Sequence, residues 1–476
     1  MDNVDPVVLS RIQFAFTVTF HIIFPSISIG LSAFLALMEG LWLRTGKALY
    51  LQIYQFWLQL FAMAFGVGVV TGIVLSFQFG TNWARFAQMA GPVLAPMISL
   101  EVLTAFFLEA GFLGIMLFGM GRVGRGLHYF ATCMVALGTL ISASWILSAN
   151  SWMQTPAGFE MHDGRFVVVD WMKVVFNPSF GYRVVHMVLA AYLSASFLVA
   201  GVASWYLLRS RHVDFSRKTL SVGLTAASLL IASQIFLGDI LAGVMAQHQP
   251  SKIQAVEGNW DDQAAASYLV FIRTDQGGQR NTVQWGIPYL GSLFVTHSFS
   301  GTVEGLKRTP PDRQPSMAMV FYGFRVMFFI GIAMFTVACI HLWLRLRRRL
   351  YVTRWFLKTL VWMAPSGIIA TLGGWYTAET GRQPWVVFGQ LRTVDALSPV
   401  VASQVASSLC LFVAIYLLFG GSFLVLALKR IRKGPDTSAN GDDRTGPVVP
   451  PSVGGVKRGI QGQTAPSTLL GTSHVQ

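Results

Sequence analysis

Long apolar stretches recur along most of the chain, and short polar connections separate them. About 20 consecutive apolar residues are enough for a helix to cross the hydrocarbon core of a bilayer. The pattern therefore predicts an all-α, polytopic membrane protein with about nine transmembrane helices. The predicted spans cover residues 12–38, 53–77, 96–119, 127–149, 180–207, 219–243, 318–344, 357–379 and 400–428.

These spans divide the chain into four parts. Residues 1–243 hold predicted helices 1–6, and residues 318–433 hold predicted helices 7–9. Residues 244–317 form a long connection whose Gly-Gly and Pro-Pro pairs predict a loop outside the membrane. Residues 434–476 are rich in Gly, Pro, Ser and Thr and poor in aromatic residues, which predicts a disordered tail.

Composition supports the membrane class, and charge predicts the orientation. The chain is 53% hydrophobic and 12% charged, whereas a soluble domain carries about 25% charged residues. Lys and Arg crowd alternate connections, most clearly between residues 345 and 358, and the positive-inside rule makes those connections cytoplasmic. The N-terminus is then outside and the C-terminus inside, which requires an odd number of helices. The net charge of +14 is thus largely a topology signal, and we expect no nucleic-acid partner.

Several polar side chains interrupt the apolar spans and are candidates for function. An ionised group at the centre of a membrane helix costs about 2.5–3.5 kcal/mol on insertion scales, so such groups are rarely kept without a role. Met327 is a further candidate because a charged residue, Arg325, lies two residues before it in the same span. The ionisable candidates are His21, Glu101, Glu109, His186, Asp239 and Glu379.

The depth of these residues predicts haem sites. His21, Glu101, His186 and Met327 each lie about 6–9 residues into a helix that enters from outside, or roughly 9–14 Å below its outer end. Glu379 lies near the outer end of helix 8, so five potential iron ligands from five helices share one outer layer. Haem iron takes His and Met as axial ligands. His186 with Met327 suits a six-coordinate iron, and the other three would leave irons more open.

A second carboxyl lies deeper on helix 3. Glu101 and Glu109 are eight residues apart, which in a regular helix gives an 80° difference in direction and about 12 Å along the axis. A carboxyl near the middle of the membrane can relay protons. Ser142 on helix 4 could extend that relay.

Each of these interpretations has a simpler alternative. A single buried histidine is more often a hydrogen-bonded core residue than a ligand, and Met327 alone could be a packing residue. Glu109 and Asp239 could be neutral acids that bond a neighbouring helix. Three further histidines lie near the inner helix ends, where we expect them at the membrane interface: His128, His212 and His341.

The most specific motif is the run Gly-Trp-Tyr-Thr-Ala-Glu-Thr-Gly-Arg-Gln-Pro-Trp at residues 374–385. Trp375 and Glu379 share one helix face, Arg382 follows within reach of a haem propionate, and Pro384 stops the helix. This run resembles subunit I of the cytochrome bd-type quinol oxidases. The resemblance covers nearly the whole chain to about residue 430. Its other matching segments are residues 9–15 leading to His21, 77–83, the Glu101 and Glu109 pair, 149–154 and 249–257.

The resemblance implies a set of haem ligands. His186 and Met327 would bind the low-spin haem b that takes electrons from quinol. His21, Glu101 and Glu379 would serve a high-spin haem b and the oxygen-reducing haem, and which residue serves which haem stays open. The oxygen-reducing haem is either haem d or a further haem b.

The resemblance also implies roles for residues around the haems. Trp375 would lie between haems, and Arg325 and Arg382 would neutralise propionates. Residues 244–317 would be a periplasmic quinol-binding loop, in which Lys252 and Glu257 contact quinol. Glu109 and Ser142 would lie on the route of protons from the cytoplasm.

The implied activity is that of a terminal quinol oxidase in the inner membrane of a bacterium. It would oxidise quinol at the outer face and reduce dioxygen to water with cytoplasmic protons, which generates proton-motive force without a pump. The implied partner is a hydrophobic subunit II, and a small single-helix subunit could also be present. The outer loop lacks the long C-terminal extension of some members, and this resembles the short-loop group that includes the cyanide-insensitive oxidases.

Two other functions fit parts of the pattern. A secondary transporter would use buried carboxylates and broken helices, but the chain has no inverted repeat and its polar residues favour the outer layer. A haem b electron carrier without oxygen chemistry would need only His/His or His/Met pairs, so Glu101 and Glu379 count against it.

Overall fold

The computed structural model describes residues 5–436, and its helices match the apolar pattern of the sequence. Within the described residues, nine helical spans are long and apolar enough to cross a membrane, which confirms the all-α polytopic class and the predicted number. We call them helices 1–9 in chain order. They are Pro6–Thr45, Ala48–Thr81, Ala84–Phe118, Arg125–Gln154, Trp171–Leu208, Val213–His248, Met317–Leu346, Arg354–Thr380 and Ala402–Lys433. The predicted disordered tail falls on residues 434–476, of which 437–476 lie outside the described residues.

Helix 3 is not a regular helix. Its first part, Ala84–Glu101, is followed by a π-helical turn, Val102–Phe106, and then by an α-helix again, Phe107–Phe118. A π turn inserts one extra residue, is rare, and occurs frequently at functional sites. This turn lies directly between Glu101 and Glu109, and the apolar pattern did not predict it.

Two other spans are composite. Helix 5 starts with the short helix Trp171–Val175 and continues as Phe180–Leu208. Helix 8 consists of Arg354–Trp362 and Ser366–Thr380, and Pro365 lies in the break between them. Proline lacks the backbone N–H and clashes with the preceding turn, which accounts for the interruption.

The connections between the helices contain short elements that hydropathy did not predict. The segment between helices 6 and 7 begins with the helix Pro250–Glu257 and later forms the helix Leu290–Thr296. Single 3₁₀ turns lie at Leu306–Arg308, Pro311–Arg313 and Val394–Ala396. Four antiparallel strand pairs complete these connections: Phe159–His162 with Arg165–Val168, Gln263–Ala264 with Thr302–Val303, Tyr268–Asp275 with Arg280–Ile287, and Trp385–Val387 with Leu391–Arg392.

Helix 1 lies at the centre of the bundle and packs against helices 2, 4, 5, 8 and 9. It approaches helix 5 closely at Gly30, where an added Cβ would lie 2.4 Å from the carbonyl oxygen of Ala191. Small residues allow such close packing in membranes, where apolar burial alone does not favour helix association.

Candidate functional site

Three of the predicted iron ligands each lie against a glycine of a neighbouring helix. A Cβ added at Gly72 of helix 2 would lie 3.2 Å from Cε1 of His21, and one added at Gly238 of helix 6 would lie 3.3 Å from Cε1 of His186. On helix 8, a Cβ added at Gly374 would lie 2.9 Å from Sδ of Met327. Any larger residue would crowd the candidate ligand, so each glycine keeps space beside it.

The two histidines differ in their hydrogen bonds. Nδ1 of His21 lies 3.0 Å from Oγ1 of Thr71, which leaves Nε2 for another partner. Nε2 of His186 lies 3.2 Å from Nε2 of Gln234, and its buried Nδ1 has no partner among the described residues. Buried polar atoms are nearly always hydrogen-bonded, so an unpaired ring nitrogen indicates a missing ligand or bound group.

Glu101 is bonded to helix 4. Oγ of Ser142 donates a 2.6 Å hydrogen bond to Oε1 of Glu101. Ser142 was predicted to extend the relay from Glu109, whereas in the structure its hydroxyl bonds the other glutamate of helix 3, Glu101.

The π turn corrects the predicted geometry of the two glutamates. Because it accommodates one extra residue, the eight residues from Glu101 to Glu109 turn through about the angle of seven α-helical residues, roughly 700°. The two side chains therefore point in directions about 20° apart, and the predicted 80° was wrong. Glu109 is buried, and a Cβ added at Gly138 of helix 4 would lie 2.5 Å from its Cγ. Both carboxyls thus face helix 4.

Glu379 lies at the centre of a polar network. Its Oε1 accepts hydrogen bonds from Nδ2 of Asn150, at 2.9 Å, and from Nε2 of Gln154, at 3.3 Å. Its Oε2 accepts from Nη2 of Arg382 at 2.6 Å, while Nε and Nη1 of Arg382 are buried without a partner among the described residues. Trp375, one turn before Glu379 on helix 8, is half-buried. Arg382 thus bonds Glu379 through Nη2 and keeps Nε and Nη1 for another group.

The network extends to the outer loop and to helix 5. Nζ of Lys252 is buried and donates a 2.6 Å hydrogen bond to Oε1 of Gln154. Nη2 of Arg183 donates to Oδ1 of Asn150 at 3.1 Å. Burial, together with the positive charge of Arg183, lowers the pKa of Lys252 well below its usual range. Lys252 is therefore connected to Glu379 through one side chain, Gln154.

Sequence reasoning gave no roles to Asn150, Gln154 and Arg183. The first two lie within the matching segment 149–154, so the family resemblance included them although hydropathy did not identify them. Arg183 was counted only as a charge on the outer side. Its contact with Asn150 depends on how helix 5 packs against helix 4.

Arg325 and Glu257 form a second buried polar group. Nε of Arg325 donates a 2.6 Å hydrogen bond to the carbonyl oxygen of Leu269, and Cζ lies 4.1 Å above the ring of Tyr268. Its Nη1 and Nη2 are buried, and so are Oε2 of Glu257 and the hydroxyl of Tyr268, all without a partner among the described residues. Burial raises the pKa of Glu257 to about 7, although the charge of Arg325 opposes this shift. Unpaired donors and acceptors thus occur together near the base of the loop.

Three other polar residues have contacts that the sequence did not predict. Asp239 is exposed at 53% of its side-chain surface and lies 3.4 Å from Nε2 of His297. His128 and His341 are 1% and 0% exposed. His128 pairs with Glu39, and His341 bonds to the hydroxyl of Ser228.

The residues fit haem as the bound group. Among residues 5–436, no three His, Cys, Asp or Glu side chains come together as a metal site. An iron ion held by one or two of the candidate ligands would need its remaining ligands from a porphyrin. The unpaired nitrogens of Arg325 and Arg382 suit the carboxylates that a haem carries.

Comparison with known proteins identifies the family of the chain. A family model described as cytochrome bd terminal oxidase subunit I matches residues 9–435. The cytochrome bd ubiquinol oxidase subunit 1 of Bacillus subtilis (strain 168) is 33% identical over 440 residues, which cover 90% of this chain and 94% of that protein. The cytochrome bd-II ubiquinol oxidase subunit 1 of Escherichia coli (strain K12) is 33% identical over 499 residues, covering 90% and 97%.

A solved structure gives the same result. The bd oxidase from Geobacillus thermodenitrificans superposes with a TM-score of 0.85 at 30% sequence identity, covering 91% of this chain and 100% of that chain. The family match spans almost all of the described residues. The chain therefore belongs to the cytochrome bd terminal oxidase subunit I family.

Proposed function

We propose that this chain binds three haems near the outer face of a bacterial inner membrane and there couples quinol oxidation to the reduction of dioxygen. Family membership makes it a subunit of a terminal quinol oxidase, a quinol:oxygen oxidoreductase of the respiratory chain. Family membership therefore excludes the two alternative functions, a secondary transporter and a haem b electron carrier without oxygen chemistry. The observation that carries the residue assignments is the set of buried, unpaired polar atoms beside the candidate ligands.

His186 and Met327 are the proposed axial ligands of a low-spin haem b. The unpaired Nδ1 of His186 and the glycines beside both side chains support this pairing. When bound, haem accepts electrons one at a time from quinol and delivers them to dioxygen. His21, Glu101 and Glu379 are the proposed ligands of a high-spin haem b and of a third haem, either d or b, with their individual assignments open.

Two arginines are the proposed partners of the haem propionates. Arg325 keeps Nη1 and Nη2 free in a buried place, and Arg382 keeps Nε and Nη1 free while its Nη2 bonds Glu379. A buried guanidinium is costly unless it is paired, and carboxylates are its best bidentate partners. Trp375, one turn before Glu379, is proposed to lie between haems.

Lys252 and Glu257 are the proposed quinol contacts in the loop. Glu257 has a pKa of about 7 and an unpaired Oε2, so it can accept a proton from a quinol hydroxyl near neutral pH and pass it outward. Lys252 is held by Gln154, which also bonds Glu379. Through Gln154, a quinol bound at Lys252 would be connected to a proposed haem ligand.

Glu109 is the proposed carrier of protons from the cytoplasmic side. It is buried below Glu101 on the same side of helix 3, because the π turn aligns the two. Ser142 holds Glu101 in position and offers a hydroxyl between helices 3 and 4. Protons taken up inside and released outside separate charge without a pump.

The assembly and orientation belong to the same proposal. The proposed partners are a hydrophobic subunit II and a small single-helix subunit, and the proposed orientation has the N-terminus outside. We also place it in the short-loop, cyanide-insensitive group. In support, the alignment with the Escherichia coli relative is longer than that with the Bacillus subtilis relative for the same 90% of this chain, so it includes residues that this chain lacks.

Replacing Met327 with Leu tests the central assignment. Leu keeps the volume and removes the sulfur, so the low-spin signal in the reduced-minus-oxidised spectrum of the purified oxidase should disappear or shift to a high-spin form. Met334→Leu is the matched control, because Met334 is buried on the same helix away from the glycine contact. An unchanged low-spin band in Met327→Leu would remove Met327 from the ligand set.

A further inference from the structure

A further buried polar cluster lies far from the proposed haem ligands, near the C-terminal end of helix 1 and the N-terminal end of helix 4. Nδ1 of His128 lies 2.6 Å from Oε1 of Glu39, and Oγ1 of Thr132 donates to Oε2 of Glu39 at 2.5 Å. The hydroxyl of Tyr54 on helix 2 lies 3.1 Å from Oγ1 of Thr132. All four side chains are buried, with Glu39 at 0% exposure. We call these four residues the inner cluster.

The inner cluster lies close to the end of the bundle that the charge pattern makes cytoplasmic. His128 comes three residues after Arg125, the exposed first residue of helix 4. Its Nε2 is buried and has no partner among the described residues. Because buried ring nitrogens are nearly always paired, Nε2 is a place where a water molecule or a proton donor is expected.

Helix 4 carries polar groups from the inner cluster toward the outer layer on one face. Positions 128, 132, 135, 139 and 142 follow helical spacing, so their side chains line up. Oγ1 of Thr139 lies 3.2 Å from the hydroxyl of Ser32 on helix 1. The neighbouring Gly138 contacts Glu109, and the last position, Ser142, bonds Glu101. The face is therefore polar at four of its five positions.

We propose that the inner cluster is the entry of the proton route that leads to Glu109. This inference rests on the proposed uptake of protons from the cytoplasm. His128 takes a proton on Nε2 and passes the proton of Nδ1 to Glu39, which returns the imidazole to its neutral form. Glu39 then releases its proton toward Ser32 and Thr139, and Glu109 accepts it.

One apolar layer separates the inner cluster from the Ser32–Thr139 pair. It contains Leu35 and Val135, both fully buried. The two polar groups are seven residues apart on each helix, or about 10 Å along the axis. Protons cross such a layer only when water enters it, so this layer separates the entry from the rest of the route.

A purely structural role would be to join helices 1 and 4. Replacing a buried ion pair with apolar groups of similar volume is often neutral or stabilising, so attachment alone does not require a Glu–His pair. A structural role would also affect every activity of the oxidase. The proposed role affects only steps that consume protons.

The test uses the complete purified oxidase with its partner subunit and the variant Glu39→Gln. Three quantities are measured: haem content, the rate of haem reduction by quinol without oxygen, and steady-state oxygen consumption. We expect oxygen consumption to fall about ten-fold or more, as for loss of a proton-transfer group, while the other two stay unchanged. Glu39→Asp should recover part of the rate. His341→Gln is the matched control, since His341 is an equally buried histidine bonded to one hydroxyl outside this route.

The outcomes separate this inference from the proposed function. Normal oxygen consumption in Glu39→Gln beside a slow Glu109→Gln variant would overturn the entry and leave cytoplasmic uptake in place. Normal rates in both would contradict the uptake route itself. Parallel loss of haem and activity in Glu39→Gln would identify a structural role. If that variant does not assemble, Thr132→Val, which removes one hydroxyl at constant volume, should still slow oxygen consumption alone, and a normal rate there would overturn the proposal.

Discussion

Glu257 is a loop carboxyl whose environment determines when it is charged. Burial disfavours the carboxylate and raises its pKa to about 7, while the nearby charge of Arg325 limits the shift. The unpaired Oε2 leaves it free to accept a proton. A group of this kind is a base only when the pH exceeds its pKa, which connects a single residue to the pH dependence of the reaction.

We therefore expect quinol oxidation to depend on pH through Glu257. The apparent kcat/KM for quinol should rise as pH increases through about 7, because the carboxylate form accepts the quinol proton. Glu257→Gln should lower kcat/KM and remove this rising limb. Glu304→Gln is the control, since Glu304 is a half-exposed loop carboxyl paired with Arg308. A variant that keeps the rising limb would show that another group is the base.

Part of the site could be predicted from single residues and part could not. His21, His186, Glu101 and Glu379 were identifiable because ionisable groups are costly in apolar spans. Glu39 was missed because it lies one residue beyond the predicted span 12–38. The bond between Lys252 and Gln154 joins residues 98 positions apart, so only the folded chain brings them together.

At the level of helices, glycines decide where the candidate ligands lie. Helices 7 and 8 approach each other so closely that a Cβ at Gly373 would lie 2.8 Å from the carbonyl oxygen of Gly323. One turn further on helix 7, Met327 lies against Gly374. Since the interior is close-packed, a single methyl group at this contact must displace the methionine or the helix.

Gly374→Ala should therefore disturb the low-spin site without removing any proposed ligand. The new Cβ would lie 2.9 Å from Sδ of Met327, so the sulfur has to move and the spectrum and reduction potential of the low-spin haem should change. Gly331→Ala on helix 7 provides the comparison, because an added Cβ there meets no atom within 4 Å. Identical low-spin potentials in the two variants would contradict the contact.

The helices also show what periodicity can and cannot predict. All nine spans were found because each needs a long apolar run. The π turn after Glu101 was missed because its residues, Val102–Phe106, are ordinary membrane residues. The four strand pairs of the connections were missed for a related reason. Short hairpins between helices have too few alternating apolar and polar positions to be recognised as strands.

At the level of the whole molecule, the proposed groups are arranged in order across the membrane. Lys252 of the loop joins the network of Glu379 through Gln154, and a polar face of helix 4 runs from there toward the inner cluster. In the proposed function, quinol protons leave on one side of the membrane, and the protons that form water enter from the other. Moving one charge across the membrane is worth about 2.3 kcal/mol per 100 mV, so the proposed arrangement would store energy without a pump.

The arrangement predicts a fixed proton stoichiometry in vesicles. With the complete oxidase oriented so that the loop faces the medium, each electron from quinol should release about one proton outside and consume about one inside. Release and consumption should remain equal in Glu257→Gln, although both become slower, because quinol is still oxidised on the loop side and its protons still leave there. The measurement is external acidification per oxygen consumed, with an uncoupler as the control. A ratio well above one proton per electron would mean that the protein pumps, and a ratio near zero would mean that the protons for water come from the quinol side.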